Sequence, residues 1–436
     1  MIAKEISPEL KKSVIYQLFF RMFTHEGTIS AATEMLESVR EIGVDIIYLC
    51  PFFAADTDSE NISPRQIASG TGNFKNPYRI KDYFAIDEEY GTDDDLEAFV
   101  KEAHRLGLKV LFDLVYLHCG PNGKLAYGNL IKRDENGKRI TNEYNFPELN
   151  FENPELCEIM YSNMEYFIKK FDVDGFRMDV GDRVPLKFWD DSLTKLKKLK
   201  PELIAINEGE RPDFLEKTFD LNYHFGWQTA TWLTFVEGKS ALTIKEKWNF
   251  YNDKIENSHG LRAYENHDIA NDTYENRFEK RIGSDGIEAI LVLNFCSDGV
   301  PVIYNGNEVC DTARHSIFSN RFHGRMCIDW RKALTGEGKR RRAFLKQLSD
   351  LKKNEKALWN GKLQWIDNTN PDRIISYIRR DEESVLVAIN TSGEKQICEI
   401  EGFVPHSSIL EKGVTFTETN GKVIFEFAPY GYAVIK

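Results

Sequence analysis

Short apolar runs alternate with amphipathic helical stretches from residue 14 to about residue 351, and this alternation restricts the fold more than any other feature of the chain. Residues 14–20, 44–49, 109–115, 174–178, 203–206, 261–264 and 300–304 read as strands, with 221–224 as the weakest of eight. Ala32, Met35, Leu36, Val39 and Ile42 fall on one helix face before a stop at Gly43. Thr92 caps a second helix, which turns Leu96, Phe99, Val100 and Ala103 inward and ends at Gly107. Asn153-Pro154 opens another, because proline at the first helical position loses no hydrogen bond. Further helices are expected over 185–199 and 287–296. Eight strand–helix units fit an α/β fold, the (β/α)8 TIM barrel, which takes about 250 residues before insertions. The barrel is expected over residues 1–355, with a small inserted loop segment at 117–151 after the third strand. Beyond it, residues 373–378, 384–390, 397–400 and 423–427 are short, β-rich and separated by turns, which predicts a C-terminal all-β sandwich domain over 356–436.

Three of the apolar runs stop at an acid: Gly175-Phe-Arg-Met-Asp179, Ile206-Asn-Glu208 and Tyr264-Glu-Asn-His-Asp268. A buried carboxylate costs stability unless it is paired, so three strand ends of this kind point to a purpose. In a parallel barrel the carboxyl ends of the strands converge on one face, so Asp179, Glu208 and Asp268 are expected to meet. Arg177 lies two residues before Asp179 and therefore on the same side of its strand, where it can orient that carboxylate. Paired carboxylates are what glycosidic bond cleavage needs, one as nucleophile and one as acid and then base. Glu208 directly ends the apolar run 203–206; Glu210 would point the same way on an extended chain and is the fallback. Taken singly, each acid reads equally well as a helix cap.

The rest of the composition excludes more than it selects. A net charge of −12 argues against nucleic acid and anionic membranes as partners and is compatible with a neutral sugar. No apolar stretch is long enough to span a bilayer. The N-terminus Met-Ile-Ala-Lys-Glu-Ile-Ser lacks the apolar core of a signal peptide, which favours the cytoplasm, although a trimmed signal would leave the same sequence. Seven cysteines without CxxC spacing read as reduced thiols. There is no HExxH or phosphate-loop pattern.

With these residues in view the chain resembles the α-amylase family of glycoside hydrolases over its whole length. Asp113-Leu-Val-Tyr-Leu-His118 is similar to the family's first motif, Gly175–Asp179 to the second, and Asn266-His267-Asp268 to the fourth; Glu208 falls where the acid/base glutamate ends the fifth strand. Phe146-Pro-Glu-Leu-Asn150 and residues 299–308 resemble further family segments. The resemblance implies a retaining glycosidase for α-glucans or oligosaccharides, with Asp179 as nucleophile, Glu208 as acid/base and Asp268 gripping and distorting the sugar. It implies that His118 and His267 donate to sugar hydroxyls, that Tyr78 stacks on the ring, and that Asp113 and Arg177 complete the substrate site.

Four positions depart from the family pattern. Leu117 stands where an Asn commonly helps bind calcium; leucine offers no oxygen, so no cofactor and no metal are expected. Arg79 replaces an Asp that in several exo-acting members holds the non-reducing sugar. Asp182 replaces a Lys or His on the leaving side, and Glu210 stands as a second glutamate beside Glu208. Two rivals remain at this stage: a transglycosylase of the same family, separable by product analysis with a sugar acceptor, and a non-catalytic glycan-binding protein on the same barrel, separable by turnover. Linkage preference, endo or exo action and oligomeric state are not written in the sequence.

Overall fold

The computed structural model describes residues 1–272, 277–419 and 421–436. Eight parallel strands follow one another around a barrel: β1 (Ile15–Leu18), β2 (Ile46–Leu49), β3 (Lys109–Leu114), β4 (Gly175–Met178), β5 (Ile204–Asn207), β6 (Leu221–Asn222), β7 (Leu261–Arg262) and β8 (Val300–Tyr304). Their order in the sheet is β6-β5-β4-β3-β2-β1-β8-β7, and a parallel bridge between Asn222 and Gly260 joins β6 to β7 and closes the ring. The fold is the (β/α)8 barrel.

Alternation along each strand divides the core in two. Ile15, Ile46, Tyr48, Leu111, Ile204, Ile206, Val300 and Val302 fill the barrel interior. Their neighbours Tyr16, Leu18, Ile47, Leu49, Val110, Phe112, Phe176 and Met178 point outward into the layer beneath the helices. That layer is bounded by Asp93–Arg105, Pro154–Phe171, Leu186–Leu199, Phe278–Cys296 and Gly336–Asn354 among others. The caps read from sequence are present: Thr92 and Asp95 form a capping box, and Asn153 caps the helix that begins with Pro154.

The structure departs from the sequence reading at several edges. β1 ends at Leu18 and Phe20–Phe23 form a short α-helical turn. The helix expected before Gly43 is two, Ile29–Thr33 and Leu36–Glu41; the Thr33 hydroxyl donates to the Ile29 carbonyl at 2.9 Å, a local bond that competes with helix continuation. Gly43 is needed where it stands: its φ is +89°, and a Cβ there would lie 2.4 Å from that of Ser349.

Two excursions rise from the carboxyl ends of the strands. Residues 50–92, after β2, carry an antiparallel hairpin of Phe53–Ala55 with Ile80–Ile86 and a short helix, Pro64–Ala68. Residues 115–153, after β3, contain isolated bridges such as His118 with Glu148 and Ile131 with Leu149.

The C-terminal strands are β9 (Lys362–Trp365), β10 (Ile374–Arg380), β11 (Ser384–Asn390), β12 (Gln396–Glu401), β13 (Ser408–Thr419) and β14 (Lys422–Ile435). They form a single antiparallel sheet, ordered β9-β10-β11-β14-β12 with β13 on β14. β14 pairs with β12 through its first half and with β11 through its second, so one long strand ties together what the sequence reading divided into two layers. One sheet face buries Ile374, Ile378, Leu386, Cys398 and Phe425 together; the other adds Ile375, Tyr377, Val387 and Val434 to the barrel's outer core. Among the described residues no helix is long and apolar enough to cross a membrane.

Candidate active site

Strand register places the acids. Asp113 on β3 lies level with Arg177 on β4, and both point into the barrel. Arg177 is fully buried and its Nη1 donates to Asp113 Oδ1 at 2.6 Å and to Asp179 Oδ1 at 2.8 Å. Its Nη2 contacts Glu208 Oε1, so one guanidinium bridges the two strand-end acids and sets them a guanidinium's breadth apart. Val180 follows Asp179 in the left-handed region, with φ of +45°, a conformation that costs a β-branched residue about 1–3 kcal/mol. That turn aims its N–H at Glu208 Oε2, 2.7 Å away.

One guanidinium cannot balance three buried carboxylates. Burial is the largest influence on each and pushes Asp113 up to about 6, Asp179 up to about 7 and Glu208 up to about 8, against the opposing pull of Arg177. Two carboxyls this close to each other resist ionising together, so over part of the pH range the pair holds one proton between them. A carboxylate and a carboxylic acid then face one cavity, the pairing that displacement at an acetal carbon uses.

The cavity above them is about 120 Å³ and is lined by Asp179, Glu208, Asp268, Tyr78, His118 and His267 together with Ser63, Arg65, Asn76, Tyr144, Phe146, Val180, Ile317 and Phe318. Six of the eight residues expected at the site therefore line it. Asp113 and Arg177 do not; they form the buried floor, where Tyr48 and Tyr78 hydroxyls donate to Asp113 Oδ2 at 3.0 and 3.3 Å. Two hollows of about 550 Å³ each lie at the opposite end of the barrel around Glu5 and Ile6 and contain none of these acids.

Asp268 reaches the cavity by a different route from the one expected. β7 ends at Arg262, and Asp268 sits in the first turn of the helix His267–Asp272, with the Asn266 side chain accepting from the Asp268 and Ile269 N–H groups at 3.0 Å each. Buried Glu265 bends the chain there by accepting from Arg277 Nε at 3.1 Å and the Phe278 N–H at 2.8 Å. Burial works against ionisation of Asp268, but His267, Arg65 and Arg177 outweigh it and its pKa falls below the usual carboxylate value.

The aromatic wall is pre-set. Tyr78 stacks on His267 with ring centroids 5.4 Å apart and planes 13° from parallel. His267 Nδ1 accepts from Gln17 at 2.8 Å, which leaves the Nε2 hydrogen for Tyr78 Oη, 2.7 Å away, or for a ligand. His118 differs: its Nε2 donates to the Tyr78 carbonyl at 2.8 Å and its Nδ1 accepts from Asn142 at 3.1 Å, so both ring nitrogens are already used within the protein. Burial pushes both histidines down to about 4, so both are neutral.

The second glutamate points elsewhere. Glu210 Oε1 accepts from the Tyr251 hydroxyl and from the Gly226 N–H at 3.1 Å, outside the cavity lining. The turn at Gly209 breaks the extended alternation that would have aligned it with Glu208. A Cβ on Gly209 would lie 2.1 Å from the Asp182 carboxyl, which accepts from Asn207 Nδ2 at 2.8 Å and the Glu210 N–H at 2.8 Å. Asp182 thus clasps the loop that carries Glu208. Arg79 is buried, with Nη1 donating to the Asn61 carbonyl at 3.1 Å and Nη2 to the Asp56 carbonyl at 3.1 Å, so it ties down the loop before Ser63.

Residues 63–76, 144–146 and 317–318 enter from loops, and sequence reasoning did not assign them to the cavity. Arg65 is the notable case: its Nη1 donates to Asp268 Oδ1 at 3.0 Å from above, the counterpart of Arg177 below. Ser63 caps its short helix, the hydroxyl accepting from the Gln66 N–H at 3.2 Å, but nothing in that local sequence says where the helix docks.

Comparison with known proteins bears on this arrangement. The family model described as alpha amylase, catalytic domain, matches residues 13–139 and 141–362. Alpha-amylase 2 of Dictyoglomus thermophilum is 24% identical over 90% of this chain and 71% of its own length. A cyclomaltodextrinase of a Bacillus species is 24% identical over 84% of this chain and 65% of its own, so the chain spans slightly less than two thirds of that relative. Among solved structures, a maltogenic alpha-amylase from Thermotoga neapolitana superposes with a TM-score of 0.81 at 25% identity, covering 98% of this chain and 99% of that one.

Proposed function

The chain belongs to the α-amylase catalytic-domain family, and from that membership we propose that it is a glycosidase that cleaves α-glucosidic bonds in α-glucans or maltooligosaccharides with retention at the anomeric carbon. The observation that carries this reading is Arg177 seated between Asp179 and Glu208, which holds two acids against one small cavity. In the first step Asp179 attacks the anomeric carbon. The bond to the departing oxygen breaks as Glu208 gives that oxygen its proton, leaving a β-linked glycosyl ester on Asp179. In the second, the Glu208 carboxylate takes a proton from water while the water oxygen attacks the same carbon and frees Asp179.

The other residues hold the sugar. Asp268, ionised between His267 and Arg65, accepts from ring hydroxyls; His267 donates from Nε2; Tyr78 offers the flat face. Arg177 and Asp113 act from beneath by positioning and charge. His118 helps by holding the Tyr78 backbone.

No step passes through calcium. The Leu117 side chain has no donor atom, its carbonyl already accepts from the Leu149 N–H at 3.0 Å, and the His118 carbonyl accepts from the Tyr83 hydroxyl at 2.6 Å.

The test is turnover on maltoheptaose with the first product followed by proton NMR. The α-anomer is expected to appear first and then mutarotate, and Asp179→Asn is expected to abolish release. Unchanged turnover in that variant would remove Asp179 from the chemistry, and initial release of the β-anomer would remove retention.

A further inference from the structure

Gln17 is a buried amide in an apolar layer. It stands on β1, level with Tyr48 on β2 and Tyr304 on β8, and Ile15, two residues earlier on the same side of the strand, packs in the barrel interior. A buried amide costs stability unless its hydrogens are used. Both are: Gln17 Nε2 donates to His267 Nδ1 at 2.8 Å and to Cys50 Sγ at 3.5 Å.

His267 is the first link of a chain that ends beside the nucleophile. Its Nε2 lies 2.7 Å from Tyr78 Oη, Tyr78 Oη lies 3.3 Å from Asp113 Oδ2, and Asp113 and Asp179 share Arg177 Nη1. The tyrosine has one hydrogen and two neighbours able to take it. A hydrogen on His267 Nε2 goes to the tyrosine oxygen and leaves the tyrosine hydrogen for Asp113. A hydrogen on His267 Nδ1 instead makes Nε2 an acceptor, which takes the tyrosine hydrogen and costs Asp113 a donor. Burial keeps His267 neutral, so its ring holds one hydrogen and not both. The choice is made at Nδ1, where an amide nitrogen can only donate.

The same choice decides what His267 offers a sugar. Its Nε2 lies 3.5 Å from Asp268 Oδ2, so the two groups meet the same part of a ring. A carboxylate only accepts, so a hydroxyl there gives its hydrogen to Asp268 and is left with lone pairs that need a donor. The neutral ring supplies one only in its Nε2–H form.

We infer that Gln17 is a positioning residue: it holds His267 in the Nε2–H form and so sets the direction of the hydrogens along His267, Tyr78 and Asp113. The inference rests on the glycosidase reading above for the sugar hydroxyl. It places one requirement of the site on β1, on a residue that does not line the cavity.

The experiment follows the His267 ring in the full chain carrying nitrogen-15-labelled histidine, by long-range proton–nitrogen NMR assigned against His267→Asn. It compares the wild type with Gln17→Met and Gln17→Glu, which both keep the length of the side chain. The wild type is expected to carry its hydrogen on Nε2 and none on Nδ1. Gln17→Met, with no donor, is expected to populate the other tautomer and to lose about three- to tenfold in kcat/KM on maltoheptaose.

Gln17→Glu sets an acceptor against Nδ1 and draws a second hydrogen onto the ring, helped by Asp268 and opposed by Arg177 and Arg65, the charged groups that face it; burial keeps Cys50 and Tyr78 neutral. The charged ring still donates from Nε2. When it loses a proton it keeps the hydrogen on Nδ1 and that donor is gone, so the basic limb of kcat/KM is expected at lower pH than in the wild type. A buried negative charge acting by its field alone would move both limbs the other way.

A wild-type ring with its hydrogen on Nδ1 would overturn the inference, and that measurement decides even if neither variant folds. So would Gln17→Met with tautomer and kcat/KM unchanged, or a basic limb in Gln17→Glu that stays or rises. If the ring behaves as expected in all three proteins but the wild type cleaves no α-glucan, the glycosidase reading fails and the positioning role of Gln17 stands.

Discussion

Arg177 and Arg65 each hold a carboxylate of the same cavity, but from opposite sides and on different supports. Arg177 rises from β4, is fully buried, and serves Asp113, Asp179 and Glu208 at once. Arg65 hangs from the five-residue helix Pro64–Ala68 in a loop, and its side chain and that of Asp268 remain 32% and 38% exposed. The floor of the mouth is therefore set by the barrel ladder and cannot move without unmaking it. The rim is held by loop contacts and solvent-screened charge, where small changes tune binding without touching the fold.

That contrast is sharpest under substitution. Arg177→Met leaves three buried acids without their shared counterion, and a thermal melt is expected to show a loss of about 3–5 kcal/mol together with loss of turnover. Arg65→Met is expected to cost at most about 1 kcal/mol in the same melt, with KM rising several-fold as Asp268 loses its upper partner. Comparable losses in the two variants would break the distinction between floor and rim. Glu208→Gln keeps the shape of the floor and removes its proton donor, so kcat is expected to fall by about 10²–10⁴ with little change in Tm.

The pH profile separates the two regions further. Activity needs Asp179 ionised and Glu208 protonated, and burial raises both, so the profile is expected to be bell-shaped and to lie above the ordinary carboxylate range, the acid limb reporting the pair's first loss of a proton and the basic limb its second. Arg65→Met leaves the Asp268 charge, which raises both acids, less neutralised, so both limbs are expected to move slightly upward; a large shift in kcat/KM would mean that the rim controls the floor. The smallest effect is reserved for Glu210→Gln, which keeps an acceptor for the Tyr251 hydroxyl outside the cavity, removes only the charge, and is expected to change kcat/KM by less than about threefold. A loss as large as that of Glu208→Gln would reverse the assignment of the two glutamates.

The floor was legible in the sequence because strand periodicity is a local rule. Two-residue spacing placed Arg177 with Asp179, and the apolar run before Glu208 marked a strand end. Asp268 was found by its motif and misplaced by its element, since the bend at buried Glu265 depends on Arg277, twelve residues on. Glu210 failed for the same reason in miniature: extended geometry was assumed across Gly209, where the Asp182 clasp turns the chain. Arg65, Tyr144 and Phe318 carried no local signal, because a loop's sequence states how it turns and not which wall it reaches. Four of the six C-terminal strands read correctly as β; β9 and β13 were not read, and β14 was read only over its first half, so the long strand that joins everything into one sheet was lost.

The central claim is that Asp179 bonds to the sugar and Glu208 does not. Incubation with a 5-fluoro-α-glucosyl fluoride, followed by peptide mapping by mass spectrometry, tests it most directly. One glycosyl unit esterified to Asp179, trapped longer in Glu208→Gln given a substrate with a good leaving group, is the predicted result; a label on Glu208 or Asp268, or turnover with no label on any carboxylate, would contradict it.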